Sequence, residues 1–152
     1  MIETRNICTM LAENPFFEGM SDPHLETIAG CGKLVRFKAD EFLMREGEEA
    51  NTFYLVREGE IAIESHVPTA GALSIARVGA GGITGYSWLF PPHRNSFDSV
   101  ALTNVSTVAL DGKCLRGKTE ADHELGYQLM KRFAQVMLDR LQAARLQVLD
   151  IY

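Results

Sequence analysis

The sequence predicts a mainly β fold, a jelly-roll-like β-roll (a double-stranded β-helix) with short helices before it and a long dimerisation helix after it. Between residues 32 and 111, short apolar runs recur about every ten residues and are separated by turns that contain glycine. Residues 1–31 carry helix signals, and from about Thr119 the apolar period changes from two to about 3.6. A chain of 152 residues is the size of one domain, so we expect a single domain over residues 1–152.

Two short helices are expected within residues 1–31, in front of the roll. The first covers Asn6–Ala12. For the second, Asp22 is suited to cap the start, Pro23 fits the first turn, and Gly30 ends the helix.

The β-roll is expected over residues 32–111. The predicted strands are Lys33–Phe37, Phe42–Met44, Phe53–Val56, Ile61–Glu64, Leu73–Val78, Ser99–Leu102 and Val105–Leu110. Such short strands with regular turns are typical of an all-β roll, sandwich or barrel. Glycines such as Gly47 and Gly59 suit the corners, because glycine reaches positive φ without strain.

The last helix is expected over residues 119–152 and carries two apolar stripes. Thr119 and Asp122 resemble a capping box at its start. The first stripe is predicted to face the roll and consists of Leu125, Leu129, Phe133 and Val136. The second has the alternating four–three spacing of a coiled-coil seam and consists of Met130, Ala134, Met137, Leu141, Ala144, Val148 and Ile151.

Two stripes on one helix need two surfaces, whereas one roll offers the helix a single face. The second stripe therefore predicts a parallel homodimer in which each long helix packs against its copy. The alternative is a helix that is buried entirely within its own domain.

Charge and composition disfavour several classes of function. The net charge is −5, and residues 131–152 contain only four basic and two acidic residues, whereas nucleic-acid binding needs a basic surface. The amino terminus has no signal-peptide pattern, and no apolar stretch approaches the roughly 18 residues of a membrane span. We expect no nucleic-acid binding by this chain alone, no membrane insertion and a cytoplasmic location.

The cysteines and histidines show neither a disulfide framework nor a metal site. Cys8, Cys31 and Cys114 are odd in number and far apart, which argues against a disulfide scaffold and favours a reducing compartment. The four histidines lack metal-ligand spacing, so no metal site is expected. No spacing indicates a Ser-His-Asp or Cys-His arrangement, and we expect no enzyme.

Residues 47–61 carry the pattern of a known family. They read Gly47-x-x-Ala50-x-x-x-Tyr54-x-Val56-x-x-Gly59-x-Ile61. This closely resembles a run in the cyclic nucleotide-binding domain, which the catabolite activator and Fnr family shares with protein kinase A regulatory subunits and gated channels. The resemblance covers nearly the whole chain. It implies a phosphate-binding cassette at residues 83–98, with a long helix behind it.

The cassette departs from the family pattern at two positions. Members that bind cyclic nucleotides have a glutamate for the ribose and an arginine for the phosphate, where this chain has Tyr86 and Asn95, with Arg94 one residue early. Losing such a phosphate contact costs about 1.5–3 kcal/mol, roughly ten- to over a hundredfold in affinity. The resemblance assigns the ligand site to Gly85, Tyr86, Ser87, Trp88, Leu89, Arg94, Asn95, Ser96, Phe97 and, on the long helix, Arg140.

The cassette is also unusually aromatic, and this leaves two interpretations open. Its rings, Tyr86, Trp88, Phe90 and Phe97, either form a pocket for a flatter or more apolar effector whose acidic group Arg94 holds, or fill the pocket themselves.

The resemblance implies a sensor that binds a small anionic effector, with cyclic AMP and cyclic GMP among the candidates, and signals through the dimer helix. The chain ends at Tyr152, where a family transcription factor continues into a helix-turn-helix, so we expect the output to be a partner protein. Two alternatives are the sensor part of a Crp/Fnr-type transcription regulator and a ligand-free protein-interaction module.

Overall fold

The apolar runs form strands close to where the sequence predicts them. The computed structural model describes residues 2–151 and the side chains of residues 5–149. Its strands are β1 (Gly32–Phe37), β2 (Phe42–Met44), β3 (Thr52–Glu58), β4 (Ile61–Val67), β5 (Gly71–Val78), β6 (Ile83–Thr84), β7 (Asp98–Ala101) and β8 (Val105–Asp111). They form two four-stranded antiparallel sheets, ordered β1-β8-β3-β6 and β2-β7-β4-β5. The predicted β-roll is confirmed.

Helices flank the roll at both ends of the chain. They are α1 (Ile2–Glu13), α2 (Asp22–Ala29), α3 (Gly112–Ala121) and α4 (His123–Ile151), with 3₁₀ turns at Pro15–Phe17 and Ser87–Leu89. Among the residues that the structure describes, no helix is both long and apolar enough to span a membrane.

The long helix begins later than the sequence predicts. Thr119 does not start it: this residue lies inside α3 and its hydroxyl donates to the Arg116 carbonyl. Extended backbone at Asp122 (φ −133°, ψ 98°) ends α3. The Asp122 carboxylate then caps α4 by accepting from the backbone N–H groups of Glu124 and Leu125, at 3.1 and 3.2 Å. The expected capping box is therefore wrong, and the short helix α3 was missed.

The start of the second front helix also differs by one residue. Ser21 is the N-cap of α2, and Asp22 is already helical. Ser21 makes no side-chain capping bond, so Asp22 supports this helix only as a negative charge in the first turn.

The first stripe of α4 packs into the main core, as predicted. Leu125, Leu129 and Phe133 are fully buried, and Val136 packs half-buried against them. Each large apolar side chain contributes about 1.5–3 kcal/mol when it is buried. This stripe holds the first half of α4 against the roll beside the cassette.

The spacing argued against a disulfide scaffold, but Cys31 and Cys114 form a disulfide. Cys31 directly precedes β1, which pairs antiparallel with β8 so that Gly32 lies opposite Leu110. This pairing brings two cysteines that are 83 positions apart in sequence to a Cα–Cα distance of 5.7 Å. Closing a loop of that length stabilises the fold by about 4–5 kcal/mol in the chain-entropy model. Cys8 is free.

The corner between β3 and β4 requires glycine for two reasons. Gly59 has a φ of +91°, and a Cβ added there would overlap the carbonyl oxygen of Asn104 and lie 2.9 Å from Thr103 Oγ1. Gly47 has a similar φ of +84°, but no atom lies within 4 Å of the position of an added Cβ. The two glycines share a backbone conformation and differ in the space around it.

We expect Gly59→Ala to destabilise the roll more than Gly47→Ala. Both variants lose about 1–2 kcal/mol from the left-handed backbone, and Gly59→Ala loses about 1–3 kcal/mol more from overlap. Urea unfolding midpoints measure the difference. Equal losses in the two variants would show that the Gly59 corner is less crowded than described.

Candidate functional site

The cassette lies between β6 and β7, and its position is fixed by a glycine bend. Gly85 has a φ of +94°, and a Cβ there would lie 2.6 Å from the Thr52 carbonyl oxygen and 2.8 Å from Met44 Cε. No other residue fits this approach to β3 without displacing it. The 3₁₀ turn Ser87–Leu89 follows immediately.

A small cavity of about 10 Å³ lies beside this bend. It is lined by Met44, Ile63, Thr84, Gly85, Tyr86, Ser87, Ser96, Phe97, Ser99 and Arg140. A space of this size holds roughly one water molecule, whereas ligand pockets usually measure about 300–1,000 Å³. The cassette is therefore closed by its own side chains.

Hydroxyl groups and one cation surround the cavity. Thr84 Oγ1 and Ser99 Oγ are hydrogen-bonded at 2.7 Å, and the hydroxyls of Ser87 and Ser96 are 3.4 Å apart. Because hydroxyl groups both donate and accept, they can turn toward an anion.

The cation at the cavity is Arg140, which reaches it from α4. Its Nη2 donates to the carbonyl oxygen of Ile83 at 2.7 Å. Burial lowers the pKa of Arg140, and the adjacent Tyr86 acts in the opposite direction. The guanidinium is nevertheless charged at neutral pH, since arginine does not lose its proton in proteins. A positive charge on the long helix thus lies directly against the cassette backbone.

Arg140 also lines a larger, open groove on its other side. This groove of about 930 Å³ lies between α4, residues 15–19 and residues 77–83. Three further basic residues, Arg77, Lys131 and Arg132, line it together with the acids Glu18 and Asp139. Arg140 is therefore the residue shared by the closed cavity and a groove that is accessible to solvent.

Arg94 and Asn95 are not brought to the cavity. Arg94 is exposed, and its backbone forms an isolated β-bridge with Glu49. Asn95 is buried and donates from Nδ2 to the Arg45 carbonyl at 3.1 Å. Arg94 does not line the cavity, and its role in holding the effector's acidic group stays a prediction.

Trp88 and Leu89 also lie away from the cavity, because both face the core beneath the cassette. Trp88 is fully buried, stacks on Phe53 with 6.4 Å between ring centroids, and meets Phe133 edge-on at 5.8 Å. Among the side chains and backbone that the structure describes, its Nε1 finds no hydrogen-bond partner. The half-buried Leu89 packs against the same cluster. Of the cassette rings, Tyr86 and Phe97 line the cavity and Trp88 supports it from below.

Helix α3 supports the cassette, and the sequence patterns did not indicate this. Arg116 Nη1 donates to the Trp88 carbonyl oxygen at 2.6 Å. A Cβ on Gly112 would lie 2.7 Å from Trp88 Cβ, so the first turn of α3 touches the indole directly. The available signal was Asp111, a preferred N-cap residue directly after the last strand.

The second stripe of α4 is largely exposed. Met130, Leu141 and Val148 are 43%, 60% and 53% exposed, and Ala134 and Ala144 are exposed too. Met137 is half-buried against the domain's own core, and the side chain of Ile151 lies outside the described residues. Every residue from 141 to 149 is exposed, so this end of α4 has no surface of its own domain to cover it.

The fold of this chain occurs in known proteins. A family model described as the cyclic nucleotide-binding domain matches residues 34–122. A structure described as a cyclic nucleotide-binding protein from Geobacter metallireducens is similar with a TM-score of 0.78 and 26% identity, over 93% of this chain and 99% of the other.

Two further structures share the fold at lower identity. A cyclic nucleotide-binding domain from Methylobacillus flagellatus has a TM-score of 0.80 at 21% identity, over 98% of this chain and 84% of that one. The N-terminal domain of a transcriptional regulator from Streptomyces coelicolor has a TM-score of 0.68 at 24% identity, over 88% and 94%. No curated protein sequence matches the chain significantly.

The placement of Trp88 can be tested against a neighbouring ring. Trp88→Ala should lower the free energy of unfolding by about 3–5 kcal/mol, because it empties the core beneath the cassette. Phe90→Ala, at a position that is 39% exposed, should cost about 1 kcal/mol or less. Chemical denaturation followed by circular dichroism measures both. Similar decreases in the free energy of unfolding for the two variants would mean that Trp88 does not support the cassette from the core.

Proposed function

Because the chain belongs to the cyclic nucleotide-binding domain family, we propose that it is a regulatory sensor domain that binds a small anionic effector beside Gly85. The observation that carries the proposal is the hydrogen bond from Arg140 to the Ile83 carbonyl oxygen. This bond joins the Arg140 guanidinium on α4 to the backbone of the cassette. A ligand that binds the guanidinium therefore also affects the position of α4.

Binding must change the positions of Tyr86 and Arg140, because the cavity has room for roughly one water molecule. An effector oxygen that reaches Arg140 from the open groove competes with the Ile83 carbonyl for the guanidinium. A charge-assisted bond to an anion is stronger than a bond to a neutral carbonyl. Occupancy therefore favours a state in which α4 has shifted relative to the roll.

Tight binding of cyclic AMP or cyclic GMP is not part of the proposal. Tyr86 offers no carboxylate for a ribose hydroxyl, and the buried amide of Asn95 is bonded to Arg45. A cyclic nucleotide would meet Arg140 alone, without the paired phosphate contact that the family pattern supplies. We expect the effector to carry a carboxylate or phosphate on a body smaller or flatter than a nucleotide.

The output is proposed to be a parallel homodimer of α4. This helix has 29 residues and is about 43 Å long. Its exposed stripe of Met130, Leu141 and Val148 has the spacing of a coiled-coil seam. Burial of these side chains against a second copy stabilises the dimer, and a shift of α4 alters the same contacts. Output through a partner protein and a cytoplasmic location stay predictions.

A second candidate is a ligand-free protein-interaction module, which the near absence of free volume in the cassette favours. In that case the roll holds α4 in place and the dimer docks on another protein. The likeness to a regulator's N-terminal domain supports a third, the sensor part of a transcription regulator. An enzymatic function has no support from the matched family or structures, which are binding and regulatory domains.

We expect Arg140→Gln to weaken effector binding about ten- to a hundredfold, since it removes a charge-assisted contact. Arg94→Gln, which removes an equal charge at an exposed position outside the cavity, should change affinity less than about twofold. Isothermal titration calorimetry with cyclic AMP, cyclic GMP and a panel of small phosphates and carboxylates measures both. If the parent protein binds no compound of the panel, the interaction module is favoured. If only Arg94→Gln loses affinity, the effector binds at Arg94 and not at Arg140.

For the dimer, Leu141→Glu should raise the dissociation constant by at least about a hundredfold, because two unpaired carboxylates would enter the seam. Gln142→Glu adds the same charge on an adjacent helix face and should leave the dimer intact. Sedimentation at micromolar concentration separates the two states. A parent protein that sediments as a monomer there would exclude the seam.

A further inference from the structure

We propose that Cys31 and Cys114 form a reversible redox modification site that sets the position of the cassette through α3. Such a site acts independently of effector binding, whatever the effector is. The disulfide links the segment between α2 and β1, which contains Cys31, to the first turn of α3, which contains Cys114.

The first turn of α3 is held by a small number of contacts. Asp111 caps it by accepting from the backbone N–H groups of Lys113 and Cys114, at 2.9 and 3.1 Å. Only Gly112 and Leu115 are buried among its ten residues. A helix with so little buried surface belongs to the part of a protein that opens at low free-energy cost. The disulfide adds a covalent link to these contacts and to the burial of Leu115 in the main core.

From this turn the contacts lead directly to the cassette. Gly112 lies against Trp88, and its N–H donates to the Asn51 carbonyl at 2.8 Å. One turn later, Arg116 donates to the Trp88 carbonyl at 2.6 Å. Since Trp88 is the middle residue of the turn Ser87–Leu89, a displacement of α3 removes support from the turn that follows Gly85.

The direction of thiol exchange follows from the burial of the two cysteine residues. Cys114 is half-buried and Cys31 is buried, so a thiolate of a dithiol reductant attacks Cys114 and Cys31 leaves as a thiolate. The second thiol of the reductant then attacks the mixed disulfide and releases Cys114. In total the pair gains two electrons and two protons, and the reductant becomes a disulfide. An oxidised disulfide such as glutathione disulfide reverses the reaction.

Cys8 is not part of this site. Burial, with the charges of Glu26 and Asp22, raises the pKa of its thiol, which lowers the fraction of reactive thiolate. It supplies a matched control, because Cys8→Ser removes a thiol without touching the pair.

Trp88 is the only tryptophan of the chain, so its fluorescence reports on the cassette. We would compare full-length protein oxidised with glutathione disulfide and reduced with dithiothreitol, and count thiols by alkylation and mass. Reduction should add two thiols, change the Trp88 emission, and speed amide exchange of residues 87–89 and 112–121 at least about tenfold. The two sheets should stay folded after reduction, so the strand signal in the far-ultraviolet circular dichroism spectrum should be retained.

Two variants complete the test. Cys31→Ser combined with Cys114→Ser should match the reduced protein and ignore dithiothreitol, whereas Cys8→Ser should respond as the parent does. Absence of a disulfide after oxidation, or reduction without any change at Trp88 and α3, would overturn the proposal. Loss of the entire circular dichroism signal on reduction would also overturn the proposal, because the disulfide would then be required for the whole fold and not for the cassette alone.

Discussion

One aromatic cluster determines how the parts of this domain are related. Phe133 of α4 meets Phe53 of β3 at 4.9 Å and Trp88 of the cassette at 5.8 Å between ring centroids. Helix, roll and cassette therefore share a single close-packed core, and interiors of that density transmit displacements instead of absorbing them. A change at the cassette cannot be confined to it.

The backbone of the cassette keeps the shape of the family fold, whereas its side chains fill the space beside it. Gly85 keeps the tight approach of the cassette to β3. The side chains around it leave a cavity of about 10 Å³, and the available cation comes from α4 instead of the following strand. The fold alone does not determine which ligand such a cassette accepts.

The features that local patterns control could be predicted, and those that depend on distant pairing could not. Alternation in Ile61–Glu64 and the glycine at Gly59 define a strand and its corner within a few residues of sequence. The Cys31–Cys114 bond depends on the register of β1 with β8, which the spacing of cysteines does not reveal. The inward direction of Trp88 likewise depends on Phe53 and Phe133, which lie far from it in sequence.

Asp122 separates two helices that would otherwise be one rigid rod. Its extended backbone interrupts the hydrogen-bond ladder, and its carboxylate starts α4 afresh. The N–H of Asp122 still donates to the Lys118 carbonyl, and its own carbonyl accepts from the N–H of Gly126. The break is therefore a hydrogen-bonded corner, and each helix contributes its own apolar side chains to the common core.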